Sequence, residues 1–339
     1  MNTATYRHVQ TENPHNARPR TIRQAHPEVT ALYGRNKWTA VILVGAVAAQ
    51  IGTATIASLL VLPWWAILML AWAVGAFATH ALFATIHEAC HRLIFKDRVA
   101  NKVMMLIANL PMLVPVAIPL GHYHLVHHKR QGQEGLDPDL PAPWEVRVFN
   151  RSRFGKFLWH LAFPFVQPWR LAADPNDRLP LSNPWLLLNA AVQVLTVIGV
   201  VVMLGLPGFA YLAASTYFVF ALHPLSGRFI QEHFTKDEEE TASYYGPLNS
   251  ISLNFGYHIE HHDFPAVPWN RLPALRRSAI EHYPARPVYQ SWARLWLGWL
   301  SGKWEISDRV ARPAAMIDRT GPERDPNGTK LRLGQTLDS

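Results

Sequence analysis

Charged side chains are absent from two long stretches of the sequence. No Asp, Glu, Lys or Arg occurs within 38–87 or within 179–227, so all 32 basic and 24 acidic residues lie elsewhere. Each stretch is about twice the ~20 residues that a helix needs to cross a bilayer. Pro and Gly interrupt them near the middle, at 62–63 and at 205–208. We therefore predict two helical hairpins with four transmembrane spans, because core helices of a soluble protein do not need charge-free stretches of this length.

The predicted spans belong to an all-α, multi-pass membrane protein and cover about residues 39–62, 64–83, 185–206 and 209–222. The turns within the hairpins carry no Lys or Arg, whereas the segments before, between and after the hairpins carry all of them. The enrichment of basic residues on cytoplasmic loops places these segments, and both ends of the chain, in the cytoplasm. The membrane domain then covers 38–312, with a polar surface arm at 1–37 and a disordered tail at 313–339.

Other features that are scarce or missing narrow the function. Cys90 is the single cysteine, so no disulfide forms within the chain, in agreement with a reducing cytosolic face. No Gly-rich dinucleotide fingerprint follows a strand, and no haem or flavin module is evident, so electrons for a redox reaction come from a separate carrier. The net charge of +8 has no aromatic and basic nucleic-acid motif beside it. Topology and anionic lipid headgroups explain this charge without a nucleic-acid partner.

Histidine, by contrast, is concentrated next to the apolar stretches. Residues 124–128 and 258–262 both read H-x-x-H-H, which places three imidazoles on one face of a helical turn. Imidazoles aimed at one point are poor core packing and good metal ligands. The predicted ligands are these six histidines, an earlier i, i+4 pair, and one further histidine before the last cluster: His87, His91, His124, His127, His128, His233, His258, His261 and His262.

Nine imidazoles are too many for one ion. A zinc or copper centre takes about four ligands, so the set suits two metal ions that each keep an open position. Neutral imidazole suits iron, and two irons share the electrons needed to activate O2 for oxidation of an unactivated C–H bond of a lipid. The competing prediction is a zinc protease in the membrane, since His87-Glu88-x-x-His91 matches the zinc-hydrolase pattern. That chemistry leaves both H-x-x-H-H clusters without a role.

Several other segments are ambiguous. Residues 103–120 are apolar but contain three prolines, which predicts a re-entrant or interfacial segment. Residues 157–171 are a further interfacial candidate, and the aromatic stripe at 289–300 fits either an interfacial helix or packing on the cytosolic domain. Asp137 and Asp139, which follow the second cluster, either orient histidine N–H groups or cap a turn.

The three clusters and the four-span layout resemble the membrane fatty-acyl desaturase and hydroxylase superfamily. The likeness is greatest to the sphingolipid Δ4-desaturase branch and covers about residues 5–312. Its specific parts are Y-H-L-V-H-H at 123–128 with G-L-D-P-D at 135–139, S-Y-Y-G-P-L-N at 243–249, and N-F-G-Y-H-I-E-H-H-D-F-P at 254–265.

This resemblance implies a diiron centre at the nine histidines, O2 as co-substrate and an electron donor of the cytochrome b5 or ferredoxin type. The implied reaction removes two hydrogens from adjacent carbons of a fatty acyl or sphingoid chain. A lipid hydroxylase of the same superfamily and a non-catalytic lipid-binding relative are the alternatives. Two departures concern the substrate, because Arg228 stands where this branch is expected to have His, and Arg92 where Asn is common. The side chains expected close to the ligands are His80, Asp137, Asp139, Glu232 and Asp263.

The membrane that holds the protein is predicted from composition. Arg outnumbers Lys 24 to 8, which is typical of GC-rich bacterial genomes. The last residues, T-L-D-S, are not a signal for retention in the endoplasmic reticulum. The bacterial inner membrane is therefore favoured over the endoplasmic reticulum.

Overall fold

A computed structural model describes residues 6–173, 177–236, 238–283 and 288–312. The predicted disordered tail at 313–339 and the first five residues of the predicted arm lie outside these ranges. Within them the chain is mainly helical, as predicted, and its strands are only two residues long.

The helices are α1 (Pro14–Ala25), α2 (Trp38–Leu59), α3 (Trp64–Leu70), α4 (Ala76–Cys90), α5 (Arg98–Asn109), α6 (Ala117–Arg130), α7 (Pro143–Phe149), α8 (Arg153–Ala173), α9 (Pro184–Phe220), α10 (Gly227–His233), α11 (His258–Asp263), α12 (Leu272–Ser278) and α13 (Trp292–Leu300). A π turn, Ala71–Gly75, joins α3 to α4. The strands are β1 (Arg7–His8), β2 (Ser243–Tyr244), β3 (Val288–Tyr289) and β4 (Val310–Ala311), and they form two parallel pairs, β1 with β4 and β2 with β3.

Three helices of the described chain are long and apolar enough to cross a membrane. They are Trp38–Leu59 with 22 residues, Trp64–Cys90 with 27 and Pro184–Phe220 with 37. The first two match the first predicted hairpin, although the second helix continues past the predicted end at residue 83. A fourth crossing by length and composition arises if α5 and α6, which are bent by 119° at the break between them, count as one broken span. This bend lies within the proline-containing segment for which an interruption was predicted.

The third and fourth predicted spans both fall within α9, which has a kink at Gly205, inside the interruption predicted at 205–208. At ~1.5 Å per residue, α9 has almost twice the length needed for a bilayer core of ~30 Å. Gly205 lies inside it with φ 59° and ψ −165°, outside helical geometry. Trp185 and Phe220, near its two ends, pack on one hydrophobic cluster, whereas Val200 and Leu212 belong to another. Residues on the two sides of Gly205 therefore pack on the same clusters.

The apolar helices combine an exposed apolar surface with paired polar groups inside. Large side chains such as Leu59 and Met203 are exposed on α2 and α9, as expected of a surface that lipid covers. Gln50 of α2 is buried, and its Nε2 donates to the carbonyl of Gly75 at 3.0 Å and to Thr79 Oγ1 at 2.6 Å. Hydrogen bonds of this kind between helices satisfy polar groups that lipid cannot.

The remaining helices position the histidine clusters at one end of α4. α6 packs against α4 and carries the second cluster, while α10 and α11 carry His233 and the third. α13 packs against α10, and its Trp292 and Trp299 are fully buried. The aromatic stripe at 289–300 therefore packs within the protein, which is the second of the two predicted alternatives.

Candidate metal centre

Five histidines from three segments converge where α4 ends. His87 and His91 come from the last turn of α4 and the residue after it, His124 and His128 from successive turns of α6, and His261 from α11. Ring nitrogens of His87, His91, His124 and His261 all lie within 4.8 Å of one another. The Nε2 atom of His128 is 3.0 Å from Nε2 of both His124 and His261. We call these five residues site A.

Four more histidines form a second group. Ring nitrogens of His127, His233 and His262 lie within 4.8 Å of one another, and Nε2 of His258 is 3.0 Å from Nε2 of His233. We call these four residues site B. The two sites are adjacent, because the His262 ring is stacked on the His128 ring of site A at 4.1 Å. All nine predicted ligands thus lie in one of two neighbouring groups.

The nitrogen contacts of site A fit a metal ion better than a hydrogen-bond network. His91, His124, His128 and His261 form a chain of Nε2 contacts of 2.9, 3.0 and 3.0 Å. A ring nitrogen either carries one hydrogen or accepts one, so aligned hydrogen bonds account for at most two of these three contacts. Two nitrogens that each lie ~2.1 Å from one ion, at about a right angle, are separated by about 3 Å. The spacing is therefore that of neighbouring ligands on one ion.

Site B also indicates a bound metal ion, through buried ring nitrogens that have no partner among the described residues. The Nε2 atoms of His127 and His262 are buried and have no hydrogen-bond partner among the described residues. Buried polar atoms without partners are rare in proteins and indicate a bound group. An all-imidazole donor set suits iron, copper or zinc. The residues of both sites thus fit the predicted metal ions.

Burial keeps the imidazoles of α11 neutral. Desolvation lowers the pKa of His258, His261 and His262 well below the usual value, and repulsion from neighbouring imidazolium groups lowers it further. His233 of α10 has its pKa lowered in the same way, first by burial. The neutral ring is the form that binds a metal.

Among the side chains expected beside the ligands, Asp137 contacts one. Its Oδ1 accepts from His127 Nδ1 at 2.8 Å, which places the ring proton on Nδ1 and leaves Nε2 free for a metal ion. The same carboxylate accepts the backbone N–H groups of Gly132 and Asp139, each at 2.9 Å. Asp137 therefore does both things that were left open in the sequence: it caps the turn after α6 and orients a predicted ligand.

Asp139 and Glu232 line the same cavity as His127 and His233, but their shortest side-chain hydrogen bonds among the described residues come from arginines. Oδ2 of Asp139 accepts from Arg309 Nη2 at 2.9 Å, and Oε1 of Glu232 accepts from Arg228 Nη1 at 2.6 Å. A carboxylate binds a guanidinium more strongly than a neutral imidazole, because both groups carry a full charge.

Asp263 acts on site B through the N-terminal segment. It contacts His15 Nδ1, and its Oδ2 lies 3.0 Å from Arg18 Nε. The other nitrogen of His15 is 2.7 Å from Thr241 Oγ1, and the His15 ring lies 5.2 Å from the ring of His262. The predicted surface arm therefore contains a helix, α1, that packs on α11. Sequence reasoning missed His15, although an Asn N-cap followed by Pro predicts that a helix begins there.

Two further residues of α4 lie outside the ligand groups. His80 is buried, 5.6 Å from the Phe255 ring, and neither of its ring nitrogens has a hydrogen-bond partner within the described ranges. It is not one of the histidines that converge. Glu88, the general base of the zinc-protease alternative, accepts from the backbone N–H of Trp269 at 3.3 Å.

A helical chain with two adjacent all-histidine sites defines a class of membrane oxidoreductase, and the comparison with protein families agrees. The fatty acid desaturase family model matches residues 62–294, which contain all nine histidines, and the sphingolipid Delta4-desaturase (DES) model matches residues 3–38. The chain belongs to the fatty acid desaturase family. It is an oxidoreductase that desaturates a lipid, and the zinc-protease alternative is excluded.

Three individual proteins to which this chain is similar are named as sphingolipid desaturases or as relatives of them. The sphingolipid delta(4)-desaturase DES1 of Drosophila melanogaster is 38% identical over 320 residues, which cover 92% of this chain and 94% of the fly protein. A DES1-like protein of Arabidopsis thaliana is 37% identical over 84% of each chain. The human sphingolipid delta(4)-desaturase/C4-monooxygenase DES2 is 37% identical over 298 residues, or 85% of this chain and 88% of the human one.

Proposed function

We propose that the chain is a Δ4-type sphingolipid desaturase in which sites A and B each hold one iron ion. The observation that carries the proposal is the convergence of nine imidazoles from four segments into two adjacent groups. Similarity to sphingolipid delta(4)-desaturases over most of the chain supports the substrate class.

The reaction removes one hydrogen from each of two neighbouring carbons. R–CH2–CH2–R′, O2, two electrons and two protons give R–CH=CH–R′ and two water molecules. The bound irons supply the activation of O2. The electrons come from a separate carrier of the cytochrome b5 or ferredoxin type, and the net charge of +8 favours an acidic one.

The protein positions the lipid in a cavity beside the two sites. Histidines of both sites border it, and its other walls combine charged groups, such as Arg228 and Arg309, with the rings of Phe83, Phe163, Phe229, Phe234 and Phe255. These walls exclude water and hold a saturated chain against the histidines. The protein thus supplies orientation and a dry site, while the metal ions supply the oxidising power.

A C4 hydroxylase is the second candidate. The name of the human relative joins delta(4)-desaturase with C4-monooxygenase, so both activities occur close to this sequence. Hydroxylation uses the same O2, electrons and protons, but it inserts one oxygen atom and releases one water molecule. The two reactions differ in whether a second hydrogen leaves the neighbouring carbon. Mass spectrometry separates the products, since the sphingoid base loses two mass units in one case and gains sixteen in the other.

We further propose four spans with both ends of the chain in the cytoplasm. The kink of α9 at Gly205, the packing of its two sides on the same clusters and the basic residues outside the hairpins support this topology. The Arg excess favours the bacterial inner membrane, whereas the eukaryotic relatives favour the endoplasmic reticulum. The choice of membrane stays a prediction, and cell fractionation decides it.

The experiment is expression in a host that is fed saturated dihydroceramide and fatty acids, with iron, zinc and lipid products measured together. We expect about two irons per chain, as two ligand groups require, and a new double bond in the sphingoid base. His261→Ala should abolish iron retention at site A together with turnover, whereas His8→Ala, at an exposed histidine outside both sites, should change neither. Full activity and iron content in His261→Ala would refute the ligand assignment.

A further inference from the structure

A buried arginine borders the cavity beside the two sites with part of its hydrogen-bonding capacity unused. Arg228, the second residue of α10, is only 1% exposed. Its Nη1 donates to Glu232, but Nε and Nη2 are buried and have no hydrogen-bond partner among the described residues. Buried donors of this kind are costly, so they indicate an acceptor that arrives with a ligand.

The surroundings of Arg228 define where this acceptor binds. The guanidinium carbon lies 4.5 Å from the ring centre of Phe83, 4.0 Å from that of Phe229 and 4.7 Å from that of Phe255. These three rings contact the guanidinium without supplying a lone-pair acceptor for Nε or Nη2. The Phe255 ring is also 4.8 Å from the ring of His87. Arg228 and site A thus contact the same phenyl ring.

Charge decides the chemical class of the acceptor. Arg228 and Glu232 already form a neutral ion pair, 2.6 Å apart, in which the arginine is fully buried. The two other arginines that line the cavity are also paired, Arg170 with Glu145 and Arg309 with Asp139. An anionic ligand would therefore leave an unpaired negative charge in this buried cavity, which is strongly unfavourable. A neutral oxygen, such as a hydroxyl or an amide carbonyl, accepts the two N–H groups without this penalty.

We propose that Arg228 binds a neutral head oxygen of the sphingoid lipid and so determines which carbons are desaturated. This inference rests on the proposed function. In a sphingoid base the Δ4 bond starts at the carbon next to the one that bears the 3-hydroxyl, and the amide is one carbon further. Those oxygens must therefore enter the cavity with the reacting carbons. A fatty acyl chain that is desaturated near its middle brings no oxygen there and gives Arg228 no partner.

The test is lipid binding to the full chain in bilayer nanodiscs without a reductant, so that no turnover occurs. The probes are dihydroceramide, an analogue of equal chain length without hydroxyl and amide oxygens, and a saturated fatty acid. Arg228→Met/Glu232→Gln removes the donors and keeps the cavity neutral. We expect it to bind dihydroceramide about 10- to 100-fold more weakly than wild type, which corresponds to a hydrogen bond from a charged donor. Its affinity for the analogue should change by less than about 3-fold.

A matched variant tests for a general loss of structure. Lys156→Met/Glu305→Gln removes another ion pair, 2.8 Å long, whose residues do not line the cavity. It should bind all three probes like wild type. Equal weakening for dihydroceramide and analogue in the Arg228 variant, or weakening confined to the fatty acid, overturns the role of Arg228. Failure of the wild-type enzyme to desaturate dihydroceramide overturns the proposed function instead, so the two failures are distinct.

Discussion

Replacing Asp137 with asparagine should weaken site B and spare site A. The carboxylate accepts three hydrogen bonds on two oxygens, from His127, Gly132 and Asp139. An amide has one accepting oxygen. We expect it to take the place of Oδ1, which accepts from His127 and Asp139, so the N–H of Gly132 loses its partner on Oδ2. Leaving one buried donor unpaired costs about 1–3 kcal/mol of stability. The bond to His127 survives but loses its charge assistance.

The larger effect falls on the metal. Removing a carboxylate that orients a ligand histidine costs about 10- to 100-fold in metal affinity. We therefore expect Asp137→Asn to retain about one iron per chain at a chelator concentration where wild type retains about two. The measurement is iron content of the purified chain across a series of chelator concentrations, with thermal unfolding of the metal-free chain measured in parallel.

Asp139→Asn is the matched control for this prediction. Asp139 lies on the same turn, but its side chain accepts from Arg309 and Gln167 and, within the described residues, has no hydrogen bond to a histidine of either site. It should keep both irons. The reasoning fails if the two variants lose iron equally, or if Asp137→Asn retains both irons at every chelator concentration.

Two further predictions concern stability. His160 accepts from Trp296 Nε1 at 3.0 Å, and burial lowers its pKa to about 4; its contribution to folding is complete above the unfolded pKa of ~6.5 and is lost as the pH falls towards 4. His160→Gln lacks this pH dependence, so between pH 7 and pH 5 the free energy of unfolding of wild type should fall by about 2 kcal/mol more than that of the variant. Urea titrations at both pH values measure this, and a difference that does not change with pH would contradict it. Gly75→Ala places a methyl group on the Ser215 hydroxyl, which should cost about 1–3 kcal/mol; Ser215→Gly in the same chain should restore the unfolding temperature, and lack of rescue would show that the clash is not the cause.

The histidines were predictable because their pattern is local. An i, i+3, i+4 spacing puts three side chains on one helical face whatever the tertiary structure is. Their division between the sites was not predictable, because site A takes His124 and His128 from the second cluster while His127 joins site B. That division depends on the angles at which α4, α6 and α11 meet, which no local spacing specifies.

The apolar stretches predicted the membrane helices but not all of their boundaries. The pattern of charge shows which residues avoid water, and it does not distinguish a loop from a single residue with non-helical geometry at Gly205. The partners of Asp139 and Asp263 were missed for a related reason. Asp139 binds Arg309 and Asp263 binds His15, at separations of 170 and 248 residues, so their sequence neighbourhoods do not reveal these partners. Glu232 binds Arg228, four residues earlier on α10, a pair that the i, i+4 spacing could have indicated.

The parallel pairing of β1 with β4 has a consequence for biosynthesis. Arg7 N donates to the carbonyl of Arg309 at 2.9 Å, and Arg312 Nε donates to the carbonyl of Thr11 across 301 residues of chain. These bonds form only after the ribosome has made residues 309–312, by which time the apolar helices have already been synthesised. Contacts between such distant segments form late, because closing long loops is entropically slow. The N-terminal segment that contains β1 and α1, and contacts Asp263 through His15, is thus the first described part of the chain to be made. Its contacts are among the last to form.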